Sequence, residues 1–111
     1  MILIIGGVYQ GKLAFAKSRF SIREEEVCDL NGAFVPGKRC YIHTGAAVRR
    51  GESLPFPADA VVIAEETGSG VVPMDSEERR FREAEGLLLQ RLALESDEVW
   101  RVLCGIGTRI R

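Results

Sequence analysis

Seven residues near the amino terminus, Gly6-Gly7-Val8-Tyr9-Gln10-Gly11-Lys12, complete a G-x-x-x-x-G-K pattern. Glycines let consecutive backbone N–H groups turn inward as a nest for an anion, and a helix that begins there adds its partial positive charge. Lys12 brings a full charge to the outer phosphates of a nucleotide. The next position is Leu13, where a Ser or Thr hydroxyl would ligate Mg²⁺. The string predicts a phosphate cradle over Gly6, Gly7, Val8, Tyr9, Gln10, Gly11, Lys12 and Leu13. It would take ATP or GTP with a weakened hold on magnesium.

A second place for chemistry is Val61-Val62-Ile63-Ala64-Glu65-Glu66, an apolar run that ends in two carboxylates. Beside a phosphate loop, a carboxylate at a strand end holds Mg²⁺ or its waters. Neighbouring residues on a strand point to opposite faces, so one of the pair faces the site. His43 is the sole histidine, and Cys40 stands at ligand-like spacing from it. Structural zinc takes four ligands, often as two pairs, and Cys28, Cys40 and His43 have no convincing second pair. Three cysteines without a C-x-x-C fit inert thiols in a reducing cytosol.

These residues need elements to hold them. Three apolar runs lead into glycine: Met1-Ile2-Leu3-Ile4-Ile5 into Gly6-Gly7, Ala60-Val61-Val62-Ile63-Ala64 towards Gly68 and Gly70, and Val99-Trp100-Arg101-Val102-Leu103-Cys104 into Gly105 and Gly107. The first two are nearly continuous, as in parallel strands covered on both faces. Ligands of open α/β sheets sit outside the carboxyl ends of such strands, so three glycine-tipped ends suggest one ligand-facing edge. The third cluster alone reads better as a tight turn. A helix is predicted over residues 75–95, with Phe81, Ala84, Leu88 and Leu92 as its stripe, Leu87 widening it, and Asp75 with Glu78 as a capping pair. Shorter helices are predicted over 11–19, 21–27 and 40–50, the last weakened by Gly45 by about 1 kcal/mol relative to Ala.

With 111 residues, 46% hydrophobic and 28% charged, the chain is sized for one domain, residues 1–111, with a real core. A net charge of -1 argues against nucleic acid as a partner. The longest apolar stretch, residues 1–9, is half the roughly 20 residues a spanning helix needs, and no basic segment precedes it. The chain therefore reads as soluble and cytoplasmic, without a membrane partner.

Glu66-Thr67-Gly68-Ser69-Gly70-Val71-Val72-Pro73, then Arg79, Phe81, Arg82, Gly86, Gln90-Arg91-Leu92-Ala93, Asp97-Glu98-Val99-Trp100 and the closing Gly105-Ile106-Gly107-Thr108-Arg109-Ile110-Arg111 resemble the C-terminal part of the adenosylcobinamide kinase/adenosylcobinamide-phosphate guanylyltransferase family. The Gly6–Lys12 string resembles that family's start. The likeness covers roughly residues 1–19 and 60–111. About 40 intervening residues show little of it, and family enzymes are longer. Glu65-Glu66 stands where the family has Asn-Glu, so only Glu66 carries over.

The resemblance implies a small three-layer α/β domain of the P-loop type, with a mostly parallel sheet and a C-terminal hairpin. It implies the nucleotide-dependent steps of cobalamin assembly: phosphorylation of the cobinamide side-chain alcohol, then GMP attachment through a histidyl intermediate. Lys12, His43 and Glu66 would be the catalytic residues and Glu66 the metal-positioning carboxylate, with His43 the only available counterpart of the guanylyl-accepting histidine. The partners would be a nucleotide and a corrinoid. The family is oligomeric, and a short sheet in a chain this apolar favours burying an edge or face in a homo-oligomer. The alternative is a non-catalytic nucleotide- or corrinoid-binding module or subunit that has lost turnover.

Overall fold

The computed structural model describes residues 1–66 and 75–111. Six strands form one sheet in the order β2-β3-β4-β1-β5-β6. The strands are β1 (Ile2–Gly6), β2 (Val27–Asp29), β3 (Cys40–Ile42), β4 (Val61–Glu65), β5 (Glu98–Leu103) and β6 (Ile106–Arg109). The helices are α1 (Lys12–Phe20), α2 (Thr44–Arg49) and α3 (Ser76–Glu95). Strands β1 to β5 all pair in parallel, and β6 closes the sheet as an antiparallel hairpin partner of β5.

The apolar runs are continuous because both faces of the sheet are covered. Leu3, Val62, Ala64 and Val99 turn to one face and meet Ala47 of α2 and Leu92 of α3. Ile4, Val61, Ile63 and Val102 turn to the other and meet Ala16 of α1. The result is the expected three-layer α/β arrangement. On the α1 face, Phe15, Phe20 and Trp100 form an aromatic cluster with ring centroids 5.5–6.4 Å apart.

Two strands escaped the periodicity, since three residues are too few to show alternation. Residues 40–50 do not form one helix: Cys40–Ile42 is β3, His43 takes a left-handed φ of 61°, and only Thr44–Arg49 is helical. The segment 21–27 is a 3₁₀ turn at Glu24–Glu26 leading into β2, rather than an α-helix. In α3, Asp75 is the N-cap as predicted, its carboxylate accepting from the Glu77 amide. The helix's inward face differs from the predicted stripe: Leu87 is exposed, and Glu85 is buried beside Leu92. The predicted turn residues Gly68 and Gly70, and the motif through Pro73, lie outside the described residues.

The β5–β6 turn uses Cys104 and Gly105, both with positive φ, the two-residue hairpin form whose twist matches its strands. Further along β6, Gly107 leaves room for α1. A Cβ there would lie 2.3 Å from the Phe15 ring. Gly107→Ala is therefore expected to destabilise the fold by about 1–3 kcal/mol, because Phe20 and Trp100 block the ring's retreat. Urea denaturation of the variant checks this, and an unchanged midpoint would refute it.

Candidate functional site

Since β1 to β5 run in parallel, their carboxyl ends open at one edge of the sheet. Gly6-Gly7 leaves β1 there, Asp29 ends β2, His43 follows β3, and Glu65 ends β4. Between this edge and α3 lies a cleft of about 710 Å³. Its walls include the glycine loop from Val8 and the first turn of α1 to Ala14, His43-Thr44-Gly45 and Glu65, with Phe81 and Glu85 contributed by α3.

The glycine loop joins β1 to α1, as a phosphate cradle must. Gly6 is packed closely: a Cβ would come 2.6 Å from the Val102 carbonyl oxygen. Gly11 opens α1 with φ of 83°, a left-handed value that a side chain would resist. Lys12 is buried, 8% exposed, and its ammonium donates to the Gly7 carbonyl at 2.5 Å. Burial lowers its pKa below the ordinary lysine value, while the Glu65 and Glu66 carboxylates act in the opposite sense.

The loop is also held from outside. Gln10 accepts the Cys104 amide through its side-chain oxygen at 2.7 Å and the Gly105 amide through its backbone carbonyl at 2.8 Å. The hairpin turn thus braces the predicted phosphate loop, a support that the loop's own pattern does not disclose.

The two carboxylates at the end of β4 separate, as strand alternation requires. Glu65 lines the cleft. Glu66 instead forms an ion pair with Arg101 of β5, at 2.9 Å to Nε and 3.0 Å to Nη2. Leu13, also in the cleft wall, packs against the α1-side core. Magnesium favours several oxygen donors. At the strand ends beside Lys12 stand the Glu65 carboxylate and an apolar Leu13, while Glu78 and Glu85 line the α3 wall, so the residues next to Lys12 suit an anion better than a protein-held metal. Among the described residues, no group of three or more His, Cys, Asp or Glu side chains could hold a metal ion. Cys28 and Cys40 are buried, and burial pushes the Cys40 thiol up to about 12, leaving it protonated and inert.

Strand pairing brings Asp29 opposite Ile42, next to His43. His43 Nδ1 lies 2.8 Å from Asp29 Oδ1 and 3.1 Å from the Asn31 amide nitrogen. An ionised carboxylate can only accept, so the Asp29 contact places a proton on Nδ1, and the Asn31 side-chain amide, itself a donor, then stands beside the ring without bonding that nitrogen. Burial would raise the Asp29 pKa, but the Asn31 amide and His43 outweigh it and hold the carboxyl below its usual value.

Sequence reasoning missed Glu85 and Thr44. Glu85, 2% exposed, has its pKa raised first by burial and then by Glu65, with Arg49 opposing. The signal was present, because Phe81, Glu85, Leu88 and Leu92 share one helical stripe at i, i+4, i+7 and i+11.

Fold and edge define a three-layer α/β domain with a glycine loop at the carboxyl ends of a mostly parallel sheet. The chain belongs to the cobinamide kinase / cobinamide phosphate guanyltransferase family, whose model matches residues 40–110. It is similar to the bifunctional adenosylcobalamin biosynthesis protein CobU of Salmonella typhimurium strain LT2, at 46% identity over 55 residues, and to that of Escherichia coli strain K12, at 42% over 55 residues. Each match covers 50% of this chain and 30% of the relative. The family match takes in residues 40–59, where the motifs showed little likeness, and does not reach the glycine loop. No helix among the described residues is long and apolar enough to cross a membrane.

Glu85 generates a prediction. Below the ordinary glutamate range, folded and unfolded chains both hold this carboxyl neutral. As pH rises towards the raised folded value, the unfolded chain ionises first and stability is lost. Glu85→Gln removes that loss, so its stability advantage over wild type should grow from pH 4 to pH 8 in urea denaturation. A constant difference would show that the carboxyl is not destabilised in the fold.

Proposed function

We propose that this domain binds the phosphates of a nucleotide in the nucleotide-dependent steps of cobalamin assembly. The observation that carries the reading is the buried Lys12 within the glycine loop, at the edge where five parallel strands end, in a chain of this family. In the kinase and guanyltransferase reactions the Gly6–Lys12 backbone would cradle the phosphates and Lys12 would neutralise their charge. Lys12 would exchange its bond to the Gly7 carbonyl for charge-assisted bonds to phosphate. Magnesium, where it accompanies the nucleotide, would supply charge neutralisation, with Glu65 facing the cleft and Glu66 behind it on Arg101.

His43 would serve the guanylyl step. With Nδ1–H held by Asp29, its Nε2 lone pair would attack the α-phosphorus of GTP, forming the N–P bond as pyrophosphate leaves with the P–O electron pair. Cobinamide phosphate would then take the guanylyl group and return the histidine. This assignment rests on the Asp29 contact and on His43 being the only histidine. A second reading, a binding module without turnover, is favoured by Leu13 and by the engagement of Glu66 with Arg101.

Calorimetric titration with ATP and GTP tests the cradle. Lys12→Met keeps the buried stem and removes the charge, so it should weaken nucleotide binding by roughly 10- to 100-fold. Equal affinity in wild type and variant would remove Lys12 from the site. The histidine has its own test: wild type incubated with α-labelled GTP should acquire acid-labile label and His43→Asn should not. A wild type that stays unlabelled supports the binding module.

A further inference from the structure

The last strand of the sheet keeps one side free. β6 pairs with β5, and among the described residues no strand pairs with its other edge. The Ile110 amide donates to the Val99 carbonyl at 2.7 Å, in step with the β5–β6 register, so Ile106, Thr108 and Ile110 turn their backbone groups towards β5. Antiparallel alternation turns those of Gly107 and Arg109 outward, two N–H and two C=O groups along the open edge. Such an edge is a template for another strand unless proline or charge blunts it. Ile106–Arg109 contains no proline, and the Arg109 guanidinium turns back towards the Arg111 carbonyl at 2.8 Å and Glu98 at 3.9 Å.

The side chains add a pattern to that edge. Gly107 faces α1, where Phe15 covers it, so Ile106, Thr108 and Ile110 share the opposite face, with Leu103 beside Ile106 across the hairpin. Leu103, Ile106 and Ile110 are 64%, 70% and 58% exposed there. Laid antiparallel on a second copy about Thr108, β6 sets Gly107 against Arg109 and Ile106 against Ile110. The outward groups of Gly107 and Arg109 then meet those of Arg109 and Gly107 in the copy. Each arginine lies opposite a glycine, so no like charges are apposed. Centring the pairing on Arg109 would oppose two guanidinium groups. Centring it on Gly107 would set Arg109 against Gly105, whose amide is already given to Gln10.

We propose that β6 is a self-association edge, through which two copies of this chain join their sheets in antiparallel register about Thr108. The occupant is a second copy because the edge complements itself three times over, in hydrogen bonding, in charge and in apolar side chains. Ile106 and the second copy's Ile110 form a non-hydrogen-bonded pair, the kind whose side chains approach most closely. Leu103, Ile106 and that isoleucine make one apolar row, and the two-fold axis repeats it. One strand per copy is a small contact, so association belongs at roughly micromolar dissociation constants, the weak end of specific interfaces.

Sedimentation velocity of the full chain at rising concentration should show a monomer–dimer equilibrium. Ile106→Lys and Ile110→Glu each alter both symmetric contacts and should weaken it about tenfold. Both side chains are exposed, so neither variant threatens the fold. Mixed in equal amounts, the two variants should associate again, because a mixed dimer sets lysine against glutamate at one contact and keeps isoleucine against isoleucine at the other. Thr108→Cys in a Cys104→Ser background should form an interchain disulfide under mild oxidation, since a non-hydrogen-bonded pair holds its Cα atoms about 4.5 Å apart. Leu94→Cys, exposed on α3, should not. A wild type that stays monomeric overturns the proposal and leaves the edge to a strand of another protein. A dimer that neither isoleucine variant weakens overturns it by placing the interface on another face. A trimer overturns it too, because a two-fold edge closes at two copies. Variants that weaken the dimer but do not associate when mixed overturn the Thr108 register.

Discussion

The parallel pairing of β1 with β4 on one side and β5 on the other is the constraint from which the cleft follows. Register places Gly6 beside Glu65 and Ile5 beside Ala64 and Arg101, so chain segments distant in sequence leave the sheet at the same height. Parallel strands of this kind need both faces covered, and the alternation of Leu3 and Ile4, or Val62 and Ile63, feeds two separate cores. A one-residue slip of β1 would exchange those cores and carry Gly6 away from the Val102 carbonyl, which tolerates no Cβ. Position of the loop is therefore fixed by burial far more than by the loop's own residues.

What the sheet does for position, the hairpin does for shape. A glycine loop has little conformational preference of its own and gains entropy by disordering. Two amides from the β5–β6 turn converge on Gln10, and a Cβ at Gly11 would stand only 3.3 Å from the Gly105 Cα. The turn can approach so closely because glycine stands on both sides of the contact. The third glycine cluster is thus a tight turn, as its local sequence indicates, and that turn also braces the glycine loop through Gln10.

Legibility in the sequence followed the length of each signal. Strands β1, β4 and β5 are five or six residues of apolar chain and were readable, as was the twenty-residue α3 with its Asp75 cap. Strands β2 and β3, at three residues each, gain their identity only from pairing with one another and with β4. Their absence from the sequence reading hid the Asp29–His43 contact, since only strand register brings residues 14 apart in sequence together. The split between Glu65 and Glu66 followed from strand alternation, but which of them faces the cleft depends on Arg101 in a neighbouring strand. Glu85 was concealed by its chemistry: a glutamate in an apolar stripe is ordinarily assigned to the solvent side.

Leu13 and Glu85 point to one physical conclusion about what the cleft is arranged to hold. At position 13 a side chain able to ligate metal is replaced by one that packs into the α1-side core, exchanging a ligand contact for burial. At position 85 the exchange runs the other way, because a carboxyl group occupies core where an apolar residue would cost nothing. Burial alone favours Leu13 and opposes Glu85, and the unpaired Thr44 hydroxyl adds to the second cost. Such a cost at one wall, with Lys12 and its glycine loop also lining the cleft, gives the cleft two polar ends of different character. The phosphates and base of a nucleotide have that polarity. Leu13 and Glu85 thus mark the two places in the cleft wall where burial and polarity oppose one another in opposite senses.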